Sequence, residues 1–335
     1  MCEMPGGAAV DLFELLSVCV DLSMKAGEVV REVARGEMGL HAKDEHGDLT
    51  GVVPTLNEVQ SGVDVVTSAD LLAQGLIEGS LVCEFPGLRL VGEEVVGADD
   101  LKAVPADRSL VFRLGRGGEV QRRVVDMSEV VVYVDPLDGT REYVVGDRKL
   151  VFVMIGISYR GVAYAGVVHQ PFEGECGRTI WCMEGYGCFD DHPDRSENLL
   201  TRVAPSRDTV VLVTTRSHHS EAVDVACAYL SADEVIRVGG AGYKILCLAR
   251  GVADVYCYPS PGTKKWDTCA PEAILRVATG GKLTDFQNLP IDYDDTENVE
   301  NYGILATRES EYHAVCSERL FGGGFCRWKE LNERR

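Results

Sequence analysis

Residues 130–140 read VVVYVDPLDGT. Four valines and a tyrosine favour a buried strand. The strand then meets two acids, a proline and a glycine, and no basic residue follows until Arg141. Two carboxylates crowded together repel one another and resist ionisation unless a cation holds them. The fold therefore has to bring a cation to the end of a buried strand, or else expose that end as a polar β-turn, in which Asp, Pro and Gly are all common. The stretch alone leaves both readings open.

The remaining acids narrow the choice. Glu93 and Glu94 follow a short strand expected at 88–92. Asp70 lies at the start of a helix expected at 68–78. Asp267 opens another, where Pro271 suits the first turn. Each sits where a regular element begins or ends, and in open α/β folds binding sites gather where such ends converge. Carboxylates converging there are oxygen ligands for Mg²⁺. Taken singly, Glu93-Glu94 and Trp266-Asp267 are weak signals.

The first half is α+β. An amphipathic helix is expected at 11–35, an irregular polar segment at 36–62, and strands at 130–134, 149–158, 162–168 and 179–183. Residues 192–198 (HPDRSEN) read as a linker, which divides the chain into regions 1–195 and 196–335. Beyond it, strands at 209–214, 234–238, 253–258 and 302–306 alternate with helices at 217–230, 241–250, 268–279 and 310–320. That alternation is of the α/β kind. Two strand-to-helix turns, Thr214-Thr215-Arg216-Ser217-His218 and Gly239-Gly240-Ala241-Gly242-Tyr243-Lys244, put hydroxyls, an ammonium and free backbone N–H groups where an anion binds. Helix capping by Ser217 and close packing of the glycines account for the same residues without a ligand.

The chain has 335 residues and a formal net charge of −20. A field of that sign repels nucleic-acid phosphates and gives no reason to expect an anionic membrane as partner. The twelve cysteines contain no C-x-x-C pair. They read as reduced thiols in a cytoplasmic protein, and zinc is not expected. The N-terminal stretch has no basic residue before Lys25, so neither a secretory signal nor a transit peptide is expected.

The combination Gly92-Glu93-Glu94, then DPLDGT with Glu142-Tyr143, then Lys264–Glu272 (KKWDTCAPE) resembles the lithium-sensitive, magnesium-dependent phosphatases that include inositol monophosphatase and fructose-1,6-bisphosphatase. The segments TTRSH (214–218), RVGGAG (237–242), SPGTKKWDTCAPE (260–272), GRTIW (177–181) and GVVHQPF (166–172) are most similar to the 3'(2'),5'-bisphosphate nucleotidase family among them. The likeness covers residues 25–307 with gaps.

The resemblance implies a layered αβαβα sandwich of the inositol monophosphatase and fructose-1,6-bisphosphatase type. It implies two or three Mg²⁺ ions: one on Glu93, Asp135 and the carbonyl of Leu137, one on Asp135, Asp138 and Asp267, and a third supported by Glu93 with Asp70. Asp70 and Thr140 would orient and deprotonate the attacking water. Thr215, Ser217, His218, Gly240 and Lys244 would bind the nucleotide. The implied reaction is hydrolysis of the 3'(2')-phosphate of 3'(2')-phosphoadenosine 5'-phosphate, with Li⁺ inhibitory. Inositol bisphosphates are the alternative substrates, and a non-catalytic nucleotide sensor is the rival of another class. The sequence departs from the family pattern in places. Tyr243 replaces an asparagine and offers a ring to adenine, Ser68 replaces a lysine, Tyr133 replaces a tryptophan, and residues 41–62 look like an insertion beside the acidic loop.

Overall fold

A computed structural model of the chain describes residues 8–36, 39–43, 49–50, 52–61, 65–114, 122–192, 195–198, 209–216, 220–322 and 324–325. Helix α1 (Leu12–Val33) begins where the Asp11 carboxylate accepts the Phe13 N–H at 2.9 Å, and its apolar stripe from Leu12 to Val30 is buried. Helix α2 (Ser68–Glu84) runs six residues beyond its expected end, because Ala73, Ile77 and Leu81 keep the buried face periodic.

Both helices cover one face of a seven-stranded sheet. Its strands are β1 (Arg89–Gly92), β2 (Val130–Asp138), β3 (Phe152–Tyr159), β4 (Val162–Gln170), β5 (Arg178–Met183), β6 (Gly187–His192) and β7 (Arg195–Asn198), in spatial order β7-β6-β5-β4-β3-β2-β1. Only β1 and β2 are parallel. Helix α3 (Thr140–Val145) follows β2 after Gly139 alone, whose φ of 88° suits glycine.

The linker expected at 192–198 is instead part of a β-hairpin, with Phe189 opposite Asn198 and His192 opposite Arg195. The polar run reads as loop, yet the backbone ladder does not need apolar side chains at a sheet edge. The sheet of the first half therefore continues across position 195.

The second sheet has five strands: β8 (Val211–Thr215), β9 (Glu234–Val238), β10 (Val255–Tyr258), β11 (Lys282–Thr284) and β12 (Ile304–Thr307), in order β9-β8-β10-β12-β11. Between the two sheets lie α5 (Ala241–Ala249) and α6 (Lys265–Thr279). On the outer face of the second sheet lie α4 (Glu221–Leu230) and α7 (Ser310–Phe321). The order of layers is helices α1 and α2, sheet, helices α5 and α6, sheet, helices α4 and α7, which is the αβαβα sandwich.

Helix α6 is seated by two glycines. Gly156 on β3 and Gly166 on β4 are cross-strand partners, and a Cβ at either would stand within 2.6 to 2.7 Å of the α6 backbone at Ala270. The helix thus lies close against the first sheet, which fixes where its N-terminal end points. Pro271 falls in the second turn of α6 and not in the first. The intrahelical bond it cannot make is the one to the carbonyl of Asp267.

All ten described cysteines are unpaired thiols, eight of them buried. Among the described residues, no helix is long and apolar enough to cross a membrane.

Candidate active site

The acids that end β2 converge because the strand is irregular. Side chains alternate across a sheet, so Asp135 and Asp138, three apart, would face opposite sides of a regular strand. Opposite Asp135 stands Met154, and opposite Asp138 stands Phe152. One residue more on β2 than on β3 makes a β-bulge, which absorbs Pro136 and turns both carboxylates the same way. The DPLDGT stretch is therefore the bulged end of a strand, not a separate turn.

Two more acids arrive through helix starts. Asp267 is the third residue of α6, and its Oδ2 accepts the Lys264 N–H at 2.5 Å. Asp70 holds the equivalent place in α2, where its Oδ2 accepts the Thr67 N–H at 2.8 Å and the Thr67 hydroxyl at 2.5 Å. Both use the reciprocal capping position, which explains why an acid sits there locally and also aims it. The other oxygen of Asp70, Oδ1, lies 3.1 Å from the Thr140 hydroxyl, which lies equally near the Leu137 carbonyl. Glu93 is drawn in by its N–H donating to the carbonyl of Val134, one step beyond the β1–β2 pairing.

One carboxylate oxygen from each of Asp135, Asp138 and Asp267 fits within 4.8 Å of the others. Burial pushes all three carboxyls up. Asp135 is raised further by Glu93, Asp138 and Asp267, and Asp267 by Asp138 and Glu93. Asp138 rises to about 6, held down in part by Lys244 and by the N–H groups of Ala241 and Gly242. Asp70 also rises to about 6, chiefly by burial.

Oδ2 of Asp135 is buried without a hydrogen-bond partner, a costly state for a carboxylate oxygen. The donors that meet here are oxygens, with no thiolate or imidazole among them. An orphaned oxygen inside a knot of carboxylates fits a hard divalent cation such as Mg²⁺.

A cavity of about 210 Å³ adjoins the acids. Thr215, Gly240 and Lys244 line it, as do Asp138, Thr140 and Asp267. Lys244 is buried, donates to the Gly240 carbonyl at 2.7 Å, and stands 5.7 Å from the centre of the Tyr256 ring. Burial lowers its pKa, against the pull of Asp138, Glu142 and Asp267. Ser217 and His218 lie outside the described residues.

Two expectations change. The free N–H groups at the start of α5, read as an anion site, are taken by Asp138: Ala241 donates to Oδ1 at 3.2 Å and Gly242 to Oδ2 at 3.1 Å. This ties the end of β2 to the start of α5. Tyr243 does not line the cavity. It stacks on Phe152, with ring centres 5.8 Å apart, and is hydrogen-bonded to Cys247.

Sequence reasoning assigned no role to Glu142 or Lys43. Glu142 lines the cavity, is 3% exposed, and pairs with Arg216 at 3.1 Å. Lys43, in the segment read as an insertion, is nearly buried between Glu94 at 2.6 Å and Glu93 at 3.5 Å. Pairing with residues fifty and more positions away leaves no periodic or motif signal.

Comparison with known proteins gives one consistent result. The model of the inositol monophosphatase family matches residues 11–319. The chain is 38% identical over 319 residues to 3'(2'),5'-bisphosphate nucleotidase 1 of Homo sapiens, covering 90% of this chain and 94% of that one. The Dictyostelium discoideum protein of the same name is 34% identical over 320 residues, covering 89% and 94%. The Golgi-resident adenosine 3',5'-bisphosphate 3'-phosphatase of Bos taurus is 31% identical over 317 residues, covering 92% and 80%. Among solved structures, CysQ from Bacteroides thetaiotaomicron superposes with a TM-score of 0.61 at 22% identity, covering 88% of this chain and 96% of that one. SaIMPase-II bound to inositol monophosphate superposes with a TM-score of 0.62 at 17% identity, covering 94% and 96%.

Proposed function

The chain belongs to the inositol monophosphatase family, and from that premise we propose that it is a Mg²⁺-dependent 3'(2'),5'-bisphosphate nucleotidase. The reaction is hydrolysis of the 3'(2')-phosphate of 3'(2')-phosphoadenosine 5'-phosphate to AMP and phosphate. The observation that carries the chemistry is the set of three carboxylates within 4.8 Å, one of them with an orphaned buried oxygen, beside Thr140 and Asp70. The naming of the substrate is supported by relatives of 34 to 38% identity that share the nucleotidase name over most of the chain.

In this reading Asp135, Asp138, Asp267, Glu93 and the Leu137 carbonyl hold two or three Mg²⁺ ions. Bound there, Mg²⁺ supplies positive charge against the phosphate and acidifies water. The protein's own groups do the rest. The Thr140 hydroxyl can hand its proton to Oδ1 of Asp70, at 3.1 Å, while taking one from the attacking water. Oδ2 of Asp70 is held by Thr67, so Oδ1 is the oxygen left to act. Lys244, Thr215 and Gly240, which line the cavity, would meet the anionic end of the nucleotide. Ser217 and His218, outside the described residues, belong to the same proposed nucleotide-binding set. Asp138, Glu142 and Asp267 give the cavity an acidic lining, so a bisphosphate enters only with cations to offset them.

Lithium inhibition goes with this reading and is tested by adding Li⁺ at saturating Mg²⁺. So does a cytoplasmic location, supported by ten unpaired thiols. Inositol bisphosphate hydrolysis uses the same ions and acids and differs only at the nucleotide wall.

The function is tested by Asp138→Asn. Turnover of 3'-phosphoadenosine 5'-phosphate should be lost while the melting temperature stays within a few degrees of the parent. Near-normal turnover would contradict the metal-site assignment.

A further inference from the structure

A second cavity, of about 400 Å³, shares no lining residue with the catalytic one. It is lined by Arg31 and Arg35 at the end of α1, Arg148 after α3, and residues of the turn that follows β4, including Phe172 and Glu175. Three guanidinium groups around one cavity stand out in a chain of net charge −20.

None of the three is neutralised by a carboxylate of a described residue. Arg31 donates to the backbone carbonyls of Glu175 at 2.9 Å and Pro171 at 3.4 Å. Arg148 donates to the Ala34 carbonyl at 3.2 Å, and its Nε is buried without a partner. The Arg148 guanidinium lies over two neighbouring rings, 5.4 Å from the centre of Phe172 and 5.9 Å from that of Tyr143. Stacking of this kind fixes the plane of the fork before any ligand arrives. Arg35 is exposed. Glu175 also lines the cavity, and Arg31 takes its backbone carbonyl, not its side chain. The positive field reaches buried neighbours: besides burial, Arg31 helps hold the His169 imidazole down at about 3.

We propose that this three-arginine cavity is a binding site for a small phosphate-bearing anion, separate from the catalytic cavity. Arginine forks match the geometry of phosphate oxygens, the cations have no carboxylate among the described residues to satisfy them, and the volume lies within the range of small-ligand pockets. The shared chemistry is a tetrahedral dianion, free or carried on an organic group.

Equilibrium dialysis of the full chain with Mg²⁺ tests this, using inorganic phosphate and, in parallel, glycerol 3-phosphate. The parent should bind one anion per chain more than Arg31→Gln/Arg35→Gln, and that variant should keep parental turnover. Arg35→Gln alone, at an exposed side chain, should weaken the second site about tenfold, the scale of one charged hydrogen bond. Tighter binding of glycerol 3-phosphate than of phosphate at that site assigns it to organic phosphates, and the reverse to the free ion. Equal binding by parent and both variants, or a single class of sites in the parent, would overturn the proposal. Turnover is read separately, so failure of the second site leaves the catalytic reading untouched.

Discussion

Oδ2 of Asp135 is the atom around which the rest of the site is arranged: buried, unpartnered and faced by other acids. The acids were legible in the sequence because each ends or begins an element and because two share one turn-like stretch. Their partners were not. Lys43, Glu142 and Arg216 meet the site only through the tertiary fold, and a lone charged residue in a polar segment reads as surface. Tyr243 was misplaced for a related reason: its position in the glycine turn suggested the ligand side, while Phe152 and Cys247 offered it a buried place. Two predictions belong at this scale. Lys244→Ala should raise KM for the bisphosphate nucleotide about tenfold or more with a smaller change in kcat, on the scale of one lost charge-assisted contact. An unchanged KM in steady-state kinetics would place the nucleotide elsewhere. Asp70→Asn should cost about 10² to 10⁴ in kcat, the range of general acid–base groups. The parent's rate should fall as pH drops through about 6, where Asp70 takes up a proton.

At the level of elements, helical periodicity located α1, α5 and α7 almost to the residue, since a buried stripe over two or more turns is a strong signal. The β-bulge in β2 was invisible, because one extra residue changes pairing without changing composition. Hairpin β6–β7 was missed because edge strands carry polar residues that look like loop. The seat of α6 on Gly156 and Gly166 links packing to the acidic cluster, since α6 carries Asp267. Gly156→Ala should therefore destabilise the fold by about 1 to 3 kcal/mol, the usual cost of overpacking. It should also weaken Mg²⁺ binding through displacement of Asp267. Denaturant unfolding and Mg²⁺ titration check the two effects, and parental values in both would mean that α6 tolerates the methyl group without moving.

Across the whole molecule, the layer order was legible from the β-rich first half and the alternating second half, while the division at 195/196 was drawn through a hairpin. The clustered acids also set how the whole fold responds to pH. Folding raises Asp70 and Asp138 from 3.8 to about 6, and Glu272, buried against Tyr293, from 4.5 to about 7. In each case the folded state binds the extra proton, so without metal, stability is lost as pH rises from about 4 to about 7. Calorimetry in EDTA should show a higher melting temperature at pH 5.5 than at pH 7.5. Mg²⁺ should raise it more at pH 7.5, where protons no longer compete for the carboxylates. A melting temperature that rises with pH in EDTA would contradict this picture of the acidic cluster. The proposed reaction is tested by phosphate release from 3'-phosphoadenosine 5'-phosphate and from inositol 1,4-bisphosphate, each with Mg²⁺ and with EDTA. Mg²⁺-dependent release, mainly from the nucleotide, is expected. Release mainly from the inositol bisphosphate, or release undiminished in EDTA, would contradict it.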